Sequence, residues 1–320
     1  MICTVSLNPA LDKYLRIPGL RRGEHQEVHE AVTSAGGKAI NVAGVLRTLG
    51  EQVRLLGFFG GYTGQYLLGE IAREGIEAEP VLVAGTTRTA FVVVEDGGTE
   101  TEIVEPGAPV TAAELDQLRQ HLRRIAREAS AVVLSGSVPP GCPENVYRLL
   151  LEDCGAHCPV LLDTSRSWLT DVAGQRHPHP PTLIKPNRRE AEHLLGRPLP
   201  APADFVRAVE QLQERGIPCP VISDSAGGLY AGTAEGVLHG CAPKVEVVNS
   251  VGSGDATVAG FAYGMARQWP MEQTVRLATA CGTANVLTKE CAQVLRPDVD
   301  RLLDQVQVET VAEGISAERR

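Results

Sequence analysis

The chain has 320 residues and a formal net charge of −9. That length suits one large α/β unit, and the acidic balance excludes nucleic-acid binding through a general positive field. The start "MICTVSLNPALD" lacks the basic residues and apolar stretch of a secretory leader, and no run of about 18 apolar residues occurs, so a cytoplasmic protein without membrane association is expected.

The eight cysteines are scattered, with no C-x-x-C pair and no flanking histidine at zinc spacing, so reduced thiols are expected rather than disulfides or a metal centre. The prolines of "HPHP" (177–180) block a helical ligand face, and a surface loop is expected there.

In chain order, "ICTVSL" reads as a strand apolar on both faces. The turn "NPALD" follows, in which Asp12 serves the turn or accepts hydrogen bonds from sugar hydroxyls. Residues 13–34, and later 86–105 with "FVVVEDGGTETEIVE", are polar, alternating and turn-punctuated. That pattern predicts exposed antiparallel strands, forming a small β lid built by two excursions from the main sheet.

"SAGGKAINVA" (34–43) is a glycine-rich approach to a helix whose stripe is Val42, Val45, Leu46 and Leu49, with Gly50 placed to end it. Gly36 and Gly37 suit a tight turn, while Lys38 and Asn41 add a cation and an amide at the same helix N-terminus, as a polyhydroxylated anion would require. "VRLLGFF", "AVVLSG", "PVLLD", "PTLIK" and "PVIS" read as further strands of a mostly parallel sheet covered on both faces. Helices are predicted over 111–129, 143–155, 202–215 and 271–287. In "KPNRRE", Lys185, Asn187 and Glu190 follow a strand; the segment is a solvated helix start, or Glu190 orders waters around Mg²⁺.

"NSVGSGDATVAGFAYGMA" places Gly252, Ser253 and Gly254 in a loop entering a helix, where unpaired N–H groups and the macrodipole attract an anion. Asp255 follows directly and either caps the helix or acts as a base beside the anion hole. A dinucleotide G-x-G-x-x-G fails at Thr257, and a Walker-A loop fails at Ala39. The tail "VETVAEGISAERR" is expected to fray.

Taken together, "TVSLNPALD", "AGGKAINVA", "SGSVPPG", "IKPNRREAE" and "VNSVGSGDATVAGF" resemble the phosphofructokinase B branch of the ribokinase-like sugar kinases over nearly the whole chain. Within it the chain resembles the 1-phosphofructokinase and tagatose-6-phosphate kinase group. The resemblance implies a single ribokinase-like αβα sandwich with a β lid, ATP and Mg²⁺ as cofactors, and transfer to a ketohexose monophosphate. Fructose 1-phosphate is the leading substrate on "SLNPALD", with tagatose 6-phosphate the alternative on "TEIVEPG" and "GSGDATVAG". A silent sugar-phosphate sensor is the rival from another class.

Carried onto this sequence, the resemblance implies Asp255 as base with Gly252, Ser253 and Gly254 as anion hole. It implies Asp12, Gly36, Gly37, Asn41 and Ser137 around the sugar, and Lys38 and Arg88 near its phosphate. Lys185, Asn187 and Glu190 would lie near the ATP phosphates and Mg²⁺, the loop from Ser223 to Gly228 would face the nucleotide, and Asn285 would flank it. Three positions depart from the pattern: Asp224 and Ser225 stand where Leu and Gly are common, and Ala39 replaces a glycine. Glu102 stands where the 6-phosphofructokinase relatives carry an arginine, which argues against fructose 6-phosphate. Exposed lid strands could pair two subunits into a homodimer.

Overall fold

The computed structural model describes residues 1–174, 176–289 and 291–313. The order is β1 (Ile2–Ser6), β2 (Ala10–Ile17), β3 (Glu30–Gly36), α1 (Lys38–Thr48), β4 (Val53–Phe59), α2 (Gly61–Arg73), β5 (Glu77–Leu82), β6 (Arg88–Glu95), β7 (Glu100–Val104), α3 (Ala112–Ala126), β8 (Ala131–Ser135) and α4 (Val146–Cys154). It continues with β9 (Val160–Asp163), α5 (Arg166–Ala173), β10 (Leu183–Ile184), α6 (Arg188–Leu195), α7 (Pro202–Glu214), β11 (Cys219–Ser223), β12 (Leu229–Thr233), β13 (Gly236–Cys241), α8 (Ser253–Ala266), α9 (Met271–Asn285), α10 (Arg296–Leu303) and β14 (Gln307–Glu313).

The fully apolar runs form the centre of a ten-stranded sheet in the order β14-β13-β12-β11-β10-β9-β8-β1-β4-β5. Every neighbour from β5 to β11 pairs in parallel, and β12, β13 and β14 add an antiparallel edge. Side chains alternate between two cores because successive strand residues point to opposite faces. Ile2 and Leu55 pack with α1, α2, α8, α9 and α10, whereas Cys3, Val5 and Leu56 pack with α3, α4, α5 and α7. This is the expected αβα sandwich. Local chemistry marks its helix ends: Thr111 and Glu114 close a reciprocal capping box at α3, and Asn187 and Glu190 do so at α6.

The two excursions meet in a second sheet of four strands, ordered β3-β2-β6-β7. The outer pairs are antiparallel as expected, but β2 and β6 run parallel, because they follow β1 and β5, parallel strands of the large sheet, and so leave it from the same carboxyl end. The tail differs from expectation. Gln307–Glu313 pairs with β13 instead of fraying, because the antiparallel edge offers it a full ladder of backbone partners; 314–320 lies outside the described residues.

Candidate active site

The ends of β1, β8, β9, β10 and β11 open on one side, the usual ligand face of a parallel sheet, and the small sheet covers it. Between them lies a cavity of about 1020 Å³. Of the residues singled out from the sequence, Asp12, Gly37, Lys38, Asn41, Arg88, Ser137, Lys185, Asn187, Glu190, Ser223, Gly228 and the run Gly252 to Asp255 all line it. Gly36 sits just behind. Its Cα hydrogens face the Asp12 carboxylate so closely that a Cβ there would fall 2.0 Å from Oδ2.

Asp255 occupies the first turn of α8 and is only 6% exposed. The approach to that turn depends on Gly252, whose φ of 84° is left-handed and whose Cβ position lies 2.3 Å from the Ala292 nitrogen. Only glycine fits both demands. Asn41 Nδ2 donates to Asp255 Oδ2 at 2.7 Å, so α1 carries a partner for this carboxylate 214 positions away in sequence. Burial pushes Asp255 up to about 6, offset in part by Lys38, Asn41 and Lys185 and reinforced by Asp163. A carboxylate so placed is ionised at neutral pH yet basic enough to take a proton.

In sequence Asp163 is only the last residue of the strand "PVLLD". In the fold it is buried at the end of β9 and binds two cations, Lys38 Nζ at 3.0 Å and Lys185 Nζ at 3.8 Å. Burial alone would raise its pKa, but Lys185 and Lys38 more than reverse this and hold it below the usual carboxylate range. Burial would likewise depress Lys38, yet Asp163, Asp255 and Glu190 keep its ammonium protonated. Lys185 Nζ lies 3.1 Å from where a Cβ of Gly254 would stand, against the head of α8. The signal available in sequence was a single acidic residue ending an otherwise apolar strand.

At the other end, Arg88 Nε donates to the Asn8 carbonyl at 3.2 Å and Nη1 to the Glu105 carbonyl at 3.4 Å, which use two of the five guanidinium donors. Burial lowers its pKa while Asp12 raises it. Burial pushes Asp12 up to about 7, with Arg88 pulling down and Asp255 and Glu102 pushing further up. Ser137 Oγ accepts from Asn8 Nδ2 at 3.2 Å. Cys291, not foreseen as part of the site, also lines the cavity and accepts from Asn41 Nδ2 at 3.7 Å.

Two expectations change in detail. Asn285 is fully buried beneath the glycine loop, where Nδ2 donates to the Val251 carbonyl at 3.0 Å; it supports the loop and does not reach the cavity. A buried amide is more stable holding a backbone carbonyl than left unpaired. Asp224 turns away from the cavity to pair with Arg188 at 2.5 Å, and Arg188 in turn lies over the Phe205 ring. Ser225 adopts a left-handed φ of 49°, the conformation for which glycine is favoured at that place.

The sequence profile of pfkB family carbohydrate kinases matches residues 6–297. The chain belongs to the pfkB family of carbohydrate kinases. Solved structures of phosphofructokinases superpose over nearly its full length. Phosphofructokinase-2 from Escherichia coli in complex with potassium is 26% identical, with a TM-score of 0.88 over 95% of this chain and 98% of that one. The same protein in complex with fructose-6-phosphate gives a TM-score of 0.86 at 26% identity, with 95% and 98% covered. A Thermotoga maritima protein described as a possible 1-phosphofructokinase is 28% identical, with a TM-score of 0.87 over 97% of this chain and 99% of that one. As a pfkB kinase the chain acts on sugar substrates with ATP as co-substrate. Among the described residues no helix is long and apolar enough to cross a membrane.

Proposed function

We propose that this pfkB protein transfers the terminal phosphoryl group of ATP to O6 of fructose 1-phosphate, with Asp255 as the general base. The observation that carries this reading is one buried carboxylate, pushed up to about 6, at the head of α8 beside the glycine loop. Asp255 takes the proton of the attacking hydroxyl as its oxygen bonds to the terminal phosphorus, and the bond to the ADP oxygen breaks. The backbone N–H groups of Gly252 and Gly254, and that of Ser253 once it leaves the Ser250 carbonyl it holds at 3.3 Å, stabilise the charge on the transferring group with Lys185 and Lys38. Glu190 closes the Asn187 cap with one oxygen at 2.9 Å, and its other oxygen suits a hard cation that keeps its waters. Mg²⁺ bound with ATP would there neutralise phosphate charge.

Asp12 and Ser137 are placed to meet the sugar, and Arg88 its existing phosphate. Glu102 also lines the cavity, and a carboxylate there, where the 6-phosphofructokinase relatives carry an arginine that would attract a phosphate, disfavours fructose 6-phosphate. The small sheet then acts as a lid that excludes water from the transfer. Its edge strands β3 and β7 leave one side of their backbone unpaired, and through such an edge two chains can pair, a state that sedimentation would detect.

A coupled ADP-release assay comparing kcat/KM for fructose 1-phosphate, tagatose 6-phosphate, fructose 6-phosphate and fructose tests the assignment. Preference for fructose 1-phosphate supports it; preference for tagatose 6-phosphate moves the acceptor to O1 of the other ketohexose phosphate. Absence of turnover on all four, with the protein folded, favours a silent sensor.

Two charge changes separate the ends of the cavity. Arg88→Ala is expected to raise KM for the sugar phosphate on the order of tenfold or more while KM for ATP stays within about twofold. Equal effects on both substrates would move Arg88 away from the sugar. Arg188→Ala frees the Asp224 carboxylate beside the Ser223 to Gly228 loop, so KM for ATP is expected to rise on the order of fivefold, the scale of a partly screened like charge. An unchanged KM would mean that the loop does not face the nucleotide.

A further inference from the structure

On the antiparallel edge, behind the lining of the cavity, His239 and Cys241 stand two residues apart on β13 and so share one face. Glu309 of β14 is the direct cross-strand partner of His239 and lies on that same face. One ligand atom from each, an imidazole nitrogen, the Cys241 sulfur and a Glu309 oxygen, fall within 4.8 Å of one another. We propose that His239, Cys241 and Glu309 form a binding site for a borderline-soft divalent cation of the zinc class.

The imidazole is held ready for this role. His239 Nε2 lies 2.8 Å from the Gly227 carbonyl, which can only accept, so the N–H sits on Nε2 and the lone pair is on Nδ1. Nδ1 faces Cys241 Sγ at 3.4 Å, close to the ligand–ligand separation of about 3.5 Å that a tetrahedral zinc site requires. The ring plane is set by stacking on Tyr230 at 4.4 Å, and Tyr230 stacks on Phe205 at 4.8 Å. A histidine whose far nitrogen donates to a backbone carbonyl is the usual arrangement of a metal ligand.

The charges fit as well. A thiolate and a carboxylate balance a dication, with a water completing the fourth position. Binding the cation forms the sulfur–metal bond and releases the thiol proton to solvent. The sequence expectation of no zinc spacing missed this group because "HGC" supplies two ligands on a strand and the third arrives 68 positions later, from a segment expected to fray.

The site also touches the kinase reaction. Gly227 belongs to the turn between β11 and β12 that lines the nucleotide side of the cavity, so a cation on Nδ1 polarises the Nε2–H and tightens its bond to that turn. This second consequence rests on the proposed function, whereas binding itself does not.

The test titrates full-length, chelator-treated protein with Zn²⁺ against a chromophoric chelator, and separately with Co²⁺ to read the near-ultraviolet thiolate-to-cobalt band. One equivalent is expected to bind wild type, with affinity at least about tenfold weaker in Cys241→Ser and Glu309→Gln, and with the cobalt band lost in Cys241→Ser. Both variants are expected to keep metal-free turnover, which shows that they fold. Stoichiometric binding of equal affinity in wild type and Cys241→Ser, or no binding to wild type, would overturn the site. With binding established, Zn²⁺ at one equivalent should lower KM for ATP about threefold in wild type and leave Cys241→Ser unchanged; identical responses would remove the link to the loop and leave the metal site standing.

Discussion

Asp255→Asn is expected to lower kcat on the order of 10²–10⁴-fold, the range of a lost general base, while KM for both substrates stays within a few-fold. Asparagine keeps the shape of the side chain and can still accept from Asn41 Nδ2, so geometry survives and only proton transfer is removed. The pH dependence has a definite sign. Activity needs the carboxylate ionised, so wild-type kcat/KM should fall as pH drops through about 6, and Asp255→Asn should lose that limb. Stability runs the other way. The folded pKa lies above the ordinary carboxylate value of about 4, so ionisation costs folding free energy as pH rises through the window from about 4 to about 6. The variant is therefore expected to unfold at an equal or higher temperature than wild type at neutral pH. A kcat loss below about tenfold would remove Asp255 from the role of base.

Asp163→Asn is expected to reduce both stability and activity. The side chain is buried with two ammonium groups as partners, and withdrawing its charge strands Lys38 and Lys185 beside each other. Breaking a buried ionic group in this way costs about 3–5 kcal/mol, which denaturant titration would read. Loss of position of the two cations is expected to lower kcat/KM on the order of 10²-fold. The folded pKa of Asp163 is depressed, so its contribution is present above the unfolded carboxylate range and lost as pH falls through the lower folded value. The stability gap between wild type and variant should thus be constant from about pH 6 to 8 and shrink below about pH 4. An unchanged unfolding midpoint would mean that the two lysines find other partners.

Much of the fold was legible because its signals are local. The apolar runs of β1, β4, β8 and β9 carry β-branched and leucine residues on both faces, which only a doubly covered sheet can bury. The approaches to α1 and α8 were legible for the same reason: a glycine run followed by helical apolar spacing describes a helix N-terminus without reference to anything distant. The antiparallel edge was not. β12 and β13 are short and carry glycine and polar residues, and β14 becomes a strand only because β13 stands beside it.

Sequence alone determined the sandwich, the small sheet and the carboxylate after "VGSG", because each is written in contiguous residues whose spacing sets the local backbone. Tertiary structure decided which charges meet. Asp163 between Lys38 and Lys185, Asn41 on Asp255, Asp224 on Arg188, and Asn285 under the glycine loop are pairings of residues that sequence either separates widely or leaves without orientation. Coulomb energy and desolvation depend on distance and burial in space, and for residues 125 or 214 positions apart only the folded chain supplies either quantity.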